Sequence, residues 1–387
     1  MKRALLIVAG VVLVLVTLLA SLAPAIVDRA LNRVLHAPPY TVSAEAEKLY
    51  RDLFVVDLHG DPLLWDRDLN ERLDHGAIDV PRLIEGNVGI QCFFIVSKSP
   101  YGQNIDRTED SSDSITALGI LQGWPPKTWG SFLERALFQA GRLDQTAERS
   151  GGRLTVIESK GDLRRYRDAR SSNTDQTAGI LGVEGAHVLE GDVKNVGTLF
   201  DAGVRIIAPT HFFDNEVGGS AHGVEKGGLT ELGRQMIADM EARGILLDLA
   251  HASPAVFRDA LAITTRPVVV SHTGVRGTCD NNRNLSDEQI KGIAATGGVI
   301  GIGYWNAAVC GEDAAAIARA IRYTVDLVGT DHVSLGSDFD GAVPVPFDTT
   351  GLALIAQALL EDGFTKEEIR GIMGENAMRI FEQILPE

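Results

Sequence analysis

The chain has 387 residues, a net charge of −16 and 45% apolar side chains. That acidity leaves nothing to neutralise a phosphate backbone, which argues against a nucleic-acid partner and suits an enzyme of small molecules. Three cysteines, Cys92, Cys279 and Cys310, are too few for a disulfide-built scaffold or a thiolate zinc site, so any metal is held by histidine and carboxylate.

After Met1-Lys2-Arg3, residues 4–27 are apolar and uncharged. At ~1.5 Å per residue they are long enough to cross a hydrocarbon layer of ~30 Å. Residues 1–28 therefore read as a membrane anchor in the form of one transmembrane helix, or as a long signal segment cleaved near the small residues between Ala20 and Ala25. A signal core usually runs to only ~15 residues, which favours the retained anchor. Lys2 and Arg3 then stay in the cytoplasm and the remainder lies on the extracytoplasmic side, periplasmic or extracellular, although Arg29 and Arg33 weigh against that orientation. Residues 29–52 read as an amphipathic linker broken at Pro38-Pro39, and the catalytic domain spans 53–387.

Within that domain apolar runs at 54–58, 88–96, 178–183, 204–209, 245–250, 268–271, 299–303 and 333–336 alternate with helical patterns. Continuous apolar runs suit strands covered on both faces, and eight of them separated by helices predict an α/β fold, the (β/α)8 barrel of TIM type. Helix caps are legible at Thr230 and Gly244, at Ser253 before Pro254, and in two capping boxes, Ser286 with Gln289 and Thr365 with Glu368. An insertion at about 97–176 holds more than one helix and a loop with Tyr101, Trp124 and Trp129. It reads as a lid over one end of the barrel or as an ordinary helical insertion.

The strand endings carry the chemistry. The first run ends in His59 and Asp61, two apart and so aimed the same way from an extended backbone. The third ends in Glu184, the fourth in His211, the fifth in His251, the sixth in His272 and the eighth in Asp338. A barrel brings all these C-terminal ends to one mouth. Imidazoles and carboxylates at the ends of apolar strands are costly unless paired or metal-bound, so seven together point to a metal centre. A donor set without thiolate suits hydrolytic zinc. More ligands than one zinc needs implies two ions sharing a carboxylate, with Glu184 as the bridge and a bridging water acidic enough to attack at neutral pH.

From Leu53 to its end the chain resembles the membrane dipeptidases, the renal dipeptidase family of the amidohydrolase superfamily. The resemblance rests on Asp57-Leu58-His59-Gly60-Asp61, Gly182-Val183-Glu184-Gly185, Thr210-His211 with Asn215 and Gly218-Gly219-Ser220-Ala221, Asp248-Leu249-Ala250-His251, Ser271-His272, Arg283-Asn284 and Gly336-Ser337-Asp338-Phe339-Asp340-Gly341. It implies that His59, Asp61 and Glu184 bind one zinc and that Glu184, His251 and His272 bind the other. It further implies that His211 contacts the scissile carbonyl, Arg283 takes the free carboxylate of a dipeptide, and Asp338 passes a proton from water to the leaving amine. Cys279 and Cys310 look like a pair bridged in some members, and the family often forms homodimers.

The function expected is therefore zinc-dependent hydrolysis of free dipeptides. Two alternatives remain: another binuclear amidohydrolase acting on a lactam or other amide, and a non-catalytic peptide-binding barrel. His36, His75 and His332 lie off the strand endings and read as surface or packing residues. His187 and His222 stay outside the metal set, Cys92 reads as a buried small hydrophobe, and Asp340 as a turn residue.

Overall fold

The structure, a computed structural model, describes residues 22–387. Most of the transmembrane helix expected over 1–28 lies outside the described residues. Residues 22–31 are helical, and among the described residues no helix is long and apolar enough to cross a membrane.

Among the described residues nine strands form one sheet: β1 (Val55–Asp57), β2 (Val88–Val96), β3 (Leu154–Val156), β4 (Thr177–Glu184), β5 (Val204–Ala208), β6 (Leu246–Leu247), β7 (Val269–Thr273), β8 (Val299–Ile302) and β9 (Val333–Leu335). All the pairs are parallel, in the order β6-β5-β4-β2-β1-β9-β8-β7. A parallel bridge between Asp248 and Val269, with Leu249 N–H donating to the Val269 carbonyl at 2.8 Å, links the two ends of that order. This is a parallel α/β fold of the TIM-barrel type. The eight apolar runs are the eight strands of that path. β3 was not foreseen; it sits inside the 97–176 insertion, where three residues beside a glycine pair give too short a pattern to read, and it pairs with β4.

Alternation explains why the runs are apolar throughout. Ile90, Cys92, Phe94 and Ile180 point into the barrel and belong to one buried cluster with Ile380, Phe381 and Ile384 of the helix Asn376–Ile384. Phe93, Ile95, Leu181 and Val183 point outward to the helical layer. Each such side chain contributes ~1.5–3 kcal/mol on burial, so a polar residue on either face is disfavoured except where chemistry repays it. The buried histidines and acids His59, Asp61, Glu184, His211, His251, His272 and Asp338 lie at or just beyond the C-terminal ends of the strands.

The capping signals work as read: Thr230, Ser253, Ser286 and Thr365 accept from backbone N–H groups of the first turn, both capping boxes are closed, and Gly244 takes φ 76°. The 97–176 insertion divides by role. Its first part, with the helix Ser114–Leu121, borders the mouth, whereas the helix Phe132–Arg149 packs on β2 and β3 as outer layer. Upstream, Val34 pairs with Val345, and Asn32 Oδ1 accepts from Ala342 N–H at 2.8 Å. Buried Asp28 is ion-paired to Arg67. Residues 22–36 are thus fastened across the loop that follows β9.

Candidate active site at the barrel mouth

The strand ends bring His59, Asp61, Glu184, His211, His251, His272 and Asp338 together, and all seven are buried. Glu184 is the hub. Its Oε1 lies 3.0 Å from His251 Nε2, 3.4 Å from His272 Nε2 and 3.8 Å from His59 Nε2, while Oε2 lies 3.1 Å from His211 Nε2. His59 Nε2 stands 3.5 Å from Asp61 Oδ2 and 4.0 Å from Asp338 Oδ1. Three overlapping groups have donor atoms within 4.8 Å of one another: His59, Glu184 and His272; Glu184, His211 and His251; and His59, Asp61 and Asp338. Distance alone does not separate His211 or Asp338 from the five residues expected to bind metal.

The electrostatics fit a cation among them. Burial pushes Glu184 and Asp61 well above the ordinary carboxylate range, and neighbouring acids push further: Asp61 on Glu184, and Asp340 on Asp61. Burial and Asp61 raise Asp338 to about 7 against the pull of His59. Burial holds His59 down at about 4 and drives His211, His251 and His272 well below their usual value, each further depressed by neighbouring cationic or imidazole groups. Neutral imidazoles with free lone pairs facing crowded carboxylates are a donor set that a divalent cation satisfies on both counts. His59 Nε2 and Asp61 Oδ1 are buried with no hydrogen-bond partner, as metal-directed atoms would be.

Supporting residues whose orienting roles sequence reasoning missed fix these rings. Ser271 Oγ sits 3.1 Å from His59 Nδ1 and 3.0 Å from His272 Nδ1. A hydroxyl oxygen accepts from both Nδ1–H groups, which turns both Nε2 lone pairs toward Glu184. The two imidazoles stack with centroids 3.6 Å apart, and Phe94 covers the other side of His59. Asp57 Oδ1 accepts from the backbone N–H of His59 and Ser337; Asp248 Oδ1 accepts from Ala250 and Ser271. Each of these acids precedes a strand-end histidine by two or three residues, the one signal that marked them. His251 and Asp338 both adopt left-handed backbone, φ 61° and 59°, a strain tolerated where the side chain must be aimed. Gly341 is required beside them, since a Cβ there would lie 1.9 Å from Asp338 Oδ1.

Arg283 is buried rather than solvated. Its Nη2 donates to the His272 carbonyl at 2.9 Å and its guanidinium lies 5.1 Å from the Trp305 ring. The bend carrying it is pinned by Asn284, whose amide donates to the carbonyls of Cys279, Ala307 and Ala308. Cys279 and Cys310 are bridged, with Cα atoms 5.3 Å apart, and Cys92 is free and buried. A cavity of about 470 Å³ reaches Asp61, Glu184, His211, Arg283 and Asp338, with Trp305 on one wall.

Residues 43–385 match the family model described as membrane dipeptidase, peptidase family M19. The chain belongs to the membrane dipeptidase family. It is 31% identical over 227 residues to an uncharacterized dipeptidase of Schizosaccharomyces pombe, a match that covers 54% of each chain. Two solved structures share the fold: the probable dipeptidase PvdM of Pseudomonas aeruginosa at 18% identity and TM-score 0.74, covering 88% of this chain and 98% of that one, and a metallo peptidase of Rhodobacter sphaeroides at 24% and 0.70, covering 86% and 99%. Membership makes this chain a metallo-dipeptidase, and the side chains that could hold a metal gather at one rim.

Four of the other histidines of this dipeptidase have structural partners. His187 Nε2 meets Ser97 Oγ at 2.7 Å, and His222 Nδ1 meets the Ile105 carbonyl at 2.8 Å while stacking on Phe212. His75 lies between Asp28 and Asp74, and His332 Nδ1 meets the Gly298 carbonyl. Asp340 is more than a turn residue: it accepts from the Ala77 and Ile78 N–H groups and pairs with Arg67.

Proposed function

We propose that this protein cleaves free dipeptides with two zinc ions, His59, Asp61 and Glu184 holding one and Glu184, His251 and His272 the other. The observation that carries the reading is Glu184, a single carboxylate within 3.8 Å of the Nε2 atoms of four histidines drawn from different strand ends. Zinc in such a donor set supplies Lewis acidity to the scissile carbonyl and brings a water's pKa to about 7. Arg283 binds the dipeptide's free carboxylate with charge-assisted hydrogen bonds, which rejects longer peptides because their chain continues where the guanidinium must dock. His211 donates to the carbonyl oxygen as negative charge grows on it. Asp338 takes a proton from the attacking water and returns it to the amine nitrogen as the C–N bond breaks.

The metallo peptidase of Rhodobacter sphaeroides is liganded with a phosphinate mimic of L-Ala-D-Ala, which makes a D residue at the second position part of the trial set. Purified protein loaded with zinc is to be assayed on L,L- and L,D-dipeptides, their C-terminal amides, tripeptides and lactams, with bound metal counted by mass spectrometry. Turnover confined to free dipeptides at two zinc per chain is expected; lactam turnover without dipeptide turnover would overturn the reading. The uncharged run 4–27 supports attachment to a membrane with the catalytic domain on the extracytoplasmic side.

A further inference from the structure

Large apolar side chains exposed among the described residues are not scattered. Leu22, Ile26, Val27 and Leu31 stand on the N-terminal helix, which is fastened to the loop after β9. Tyr101, Ile120, Leu121 and Trp129 stand on the segment after β2, and Val224 stands on the loop after β5, whose Lys226 reaches the Asp106 carbonyl. Each of these segments leaves the C-terminal end of a strand or is tied to one that does, and Val27, Leu31, Tyr101 and Leu121 border the cavity at the mouth. Scattered exposed apolar residues are ordinary, but a concentration at one end marks an interface.

Two features choose the occupant. The cavity runs from the metal-ligating residues out to Val27, Leu31, Tyr101 and Leu121, so the apolar rim is continuous with the catalytic pocket. The helix that supplies half of this rim, residues 22–31, also carries the C-terminal end of the uncharged run 4–27. A lipid bilayer that receives that run meets this end of the barrel first. Tyrosine and tryptophan prefer the headgroup boundary, where an apolar ring and a polar tip are both satisfied.

We propose that the barrel mouth is a membrane-contacting face, with Tyr101, Ile120, Leu121 and Trp129 seated in the headgroup zone and the catalytic cavity opening toward it. The proposal rests on the anchor reading of residues 1–28. Substrate then enters along the bilayer surface, between the N-terminal helix and the helix Ser114–Leu121.

The test uses the full chain in phospholipid vesicles. An environment-sensitive fluorophore is placed on Ile120→Cys, or on Thr174→Cys in the exposed turn before β4 at the opposite end. Labelling is selective because Cys92 is buried and Cys279 is bridged to Cys310. Ile120 lies outside the cavity lining, so dipeptide turnover should persist in that variant and report a native fold. With nitroxide-bearing phospholipid the label at 120 should lose most of its emission while that at 174 keeps its own. Flotation with vesicles but no loss at 120, or equal loss at both positions, overturns the proposal and leaves the anchor standing. Cross-linking of two chains through position 120, without lipid quenching, makes the face a self-association surface and also overturns it. Failure to float removes the anchor reading and this proposal with it.

Discussion

Ser271 shows how much of the centre depends on a single hydroxyl that binds nothing itself. Its oxygen orients His59 and His272 together. Ser271→Ala should weaken metal retention by ~10–100-fold, read by chelator competition, with the far-ultraviolet circular dichroism unchanged; retention equal to the parent would remove its orienting role. Asp338→Asn should cut kcat by ~10²–10⁴-fold with metal content near that of the parent, and unaltered kcat would refute proton handling there. Arg283→Lys replaces a fork by a point charge and loses the face of Trp305. It should raise KM for free dipeptides while narrowing the gap to their amides, a difference of ~1.5–3 kcal/mol for one charge-assisted bond. At this scale the sequence disclosed which residues gather at the rim, because imidazole and carboxylate are conspicuous at the ends of apolar runs. It concealed what Ser271, Asp57, Asp248 and Trp305 do, since a hydroxyl, an acid or an indole near a strand end has many structural uses, and only distances tell which applies.

Caps and strands were readable because their rules are local. Thr230, Ser253, Ser286 and Thr365 needed only their own next three residues, and each of the eight runs carried its apolar character regardless of partners. The segment after β2 was not readable in that way. Its helix Ser114–Leu121 is capped by Asp113, which also pairs with Arg135 on the next helix. Burial pushes the Asp113 carboxyl up, but its bonds to Thr116 and Arg135 prevail and hold it below the ordinary value. A carboxyl depressed in the folded state contributes stability above its unfolded value and loses it as pH falls through the folded one. Hydrogen-exchange protection across 114–121, measured relative to the intrinsic exchange rate at each pH, should therefore fall on acidification before that of the barrel strands does. Asp113→Ala should cost this helix ~0.5–2 kcal/mol and abolish that early pH response; an unchanged acid profile would show that the cap does not hold the segment.

Across the whole molecule, the barrel gathers three acids and four histidines into one buried cluster that is poor company without a cation. Ligand that binds only the folded chain stabilises it by mass action, so stripping metal with a chelator should lower Tm and readdition of zinc should restore it. A Tm indifferent to chelation would mean that the cluster is satisfied some other way. The order of strands around the barrel followed from the alternation of runs, whereas the fastening of 22–36 onto the loop after β9 did not. Its contacts, Val34 with Val345 and Asn32 with Ala342, join positions some three hundred residues apart, and no local pattern announces them.

The bridge between Cys279 and Cys310 encloses the bend that presents Arg283 but touches none of the groups around Glu184. Thiol reductant would therefore loosen peptide selection ahead of bond cleavage, and a reduced enzyme would still hydrolyse while discriminating poorly between a free terminus and a blocked one. With Arg283 docking the free carboxylate as proposed, an oxidising compartment would act on this fold as a setting for fidelity.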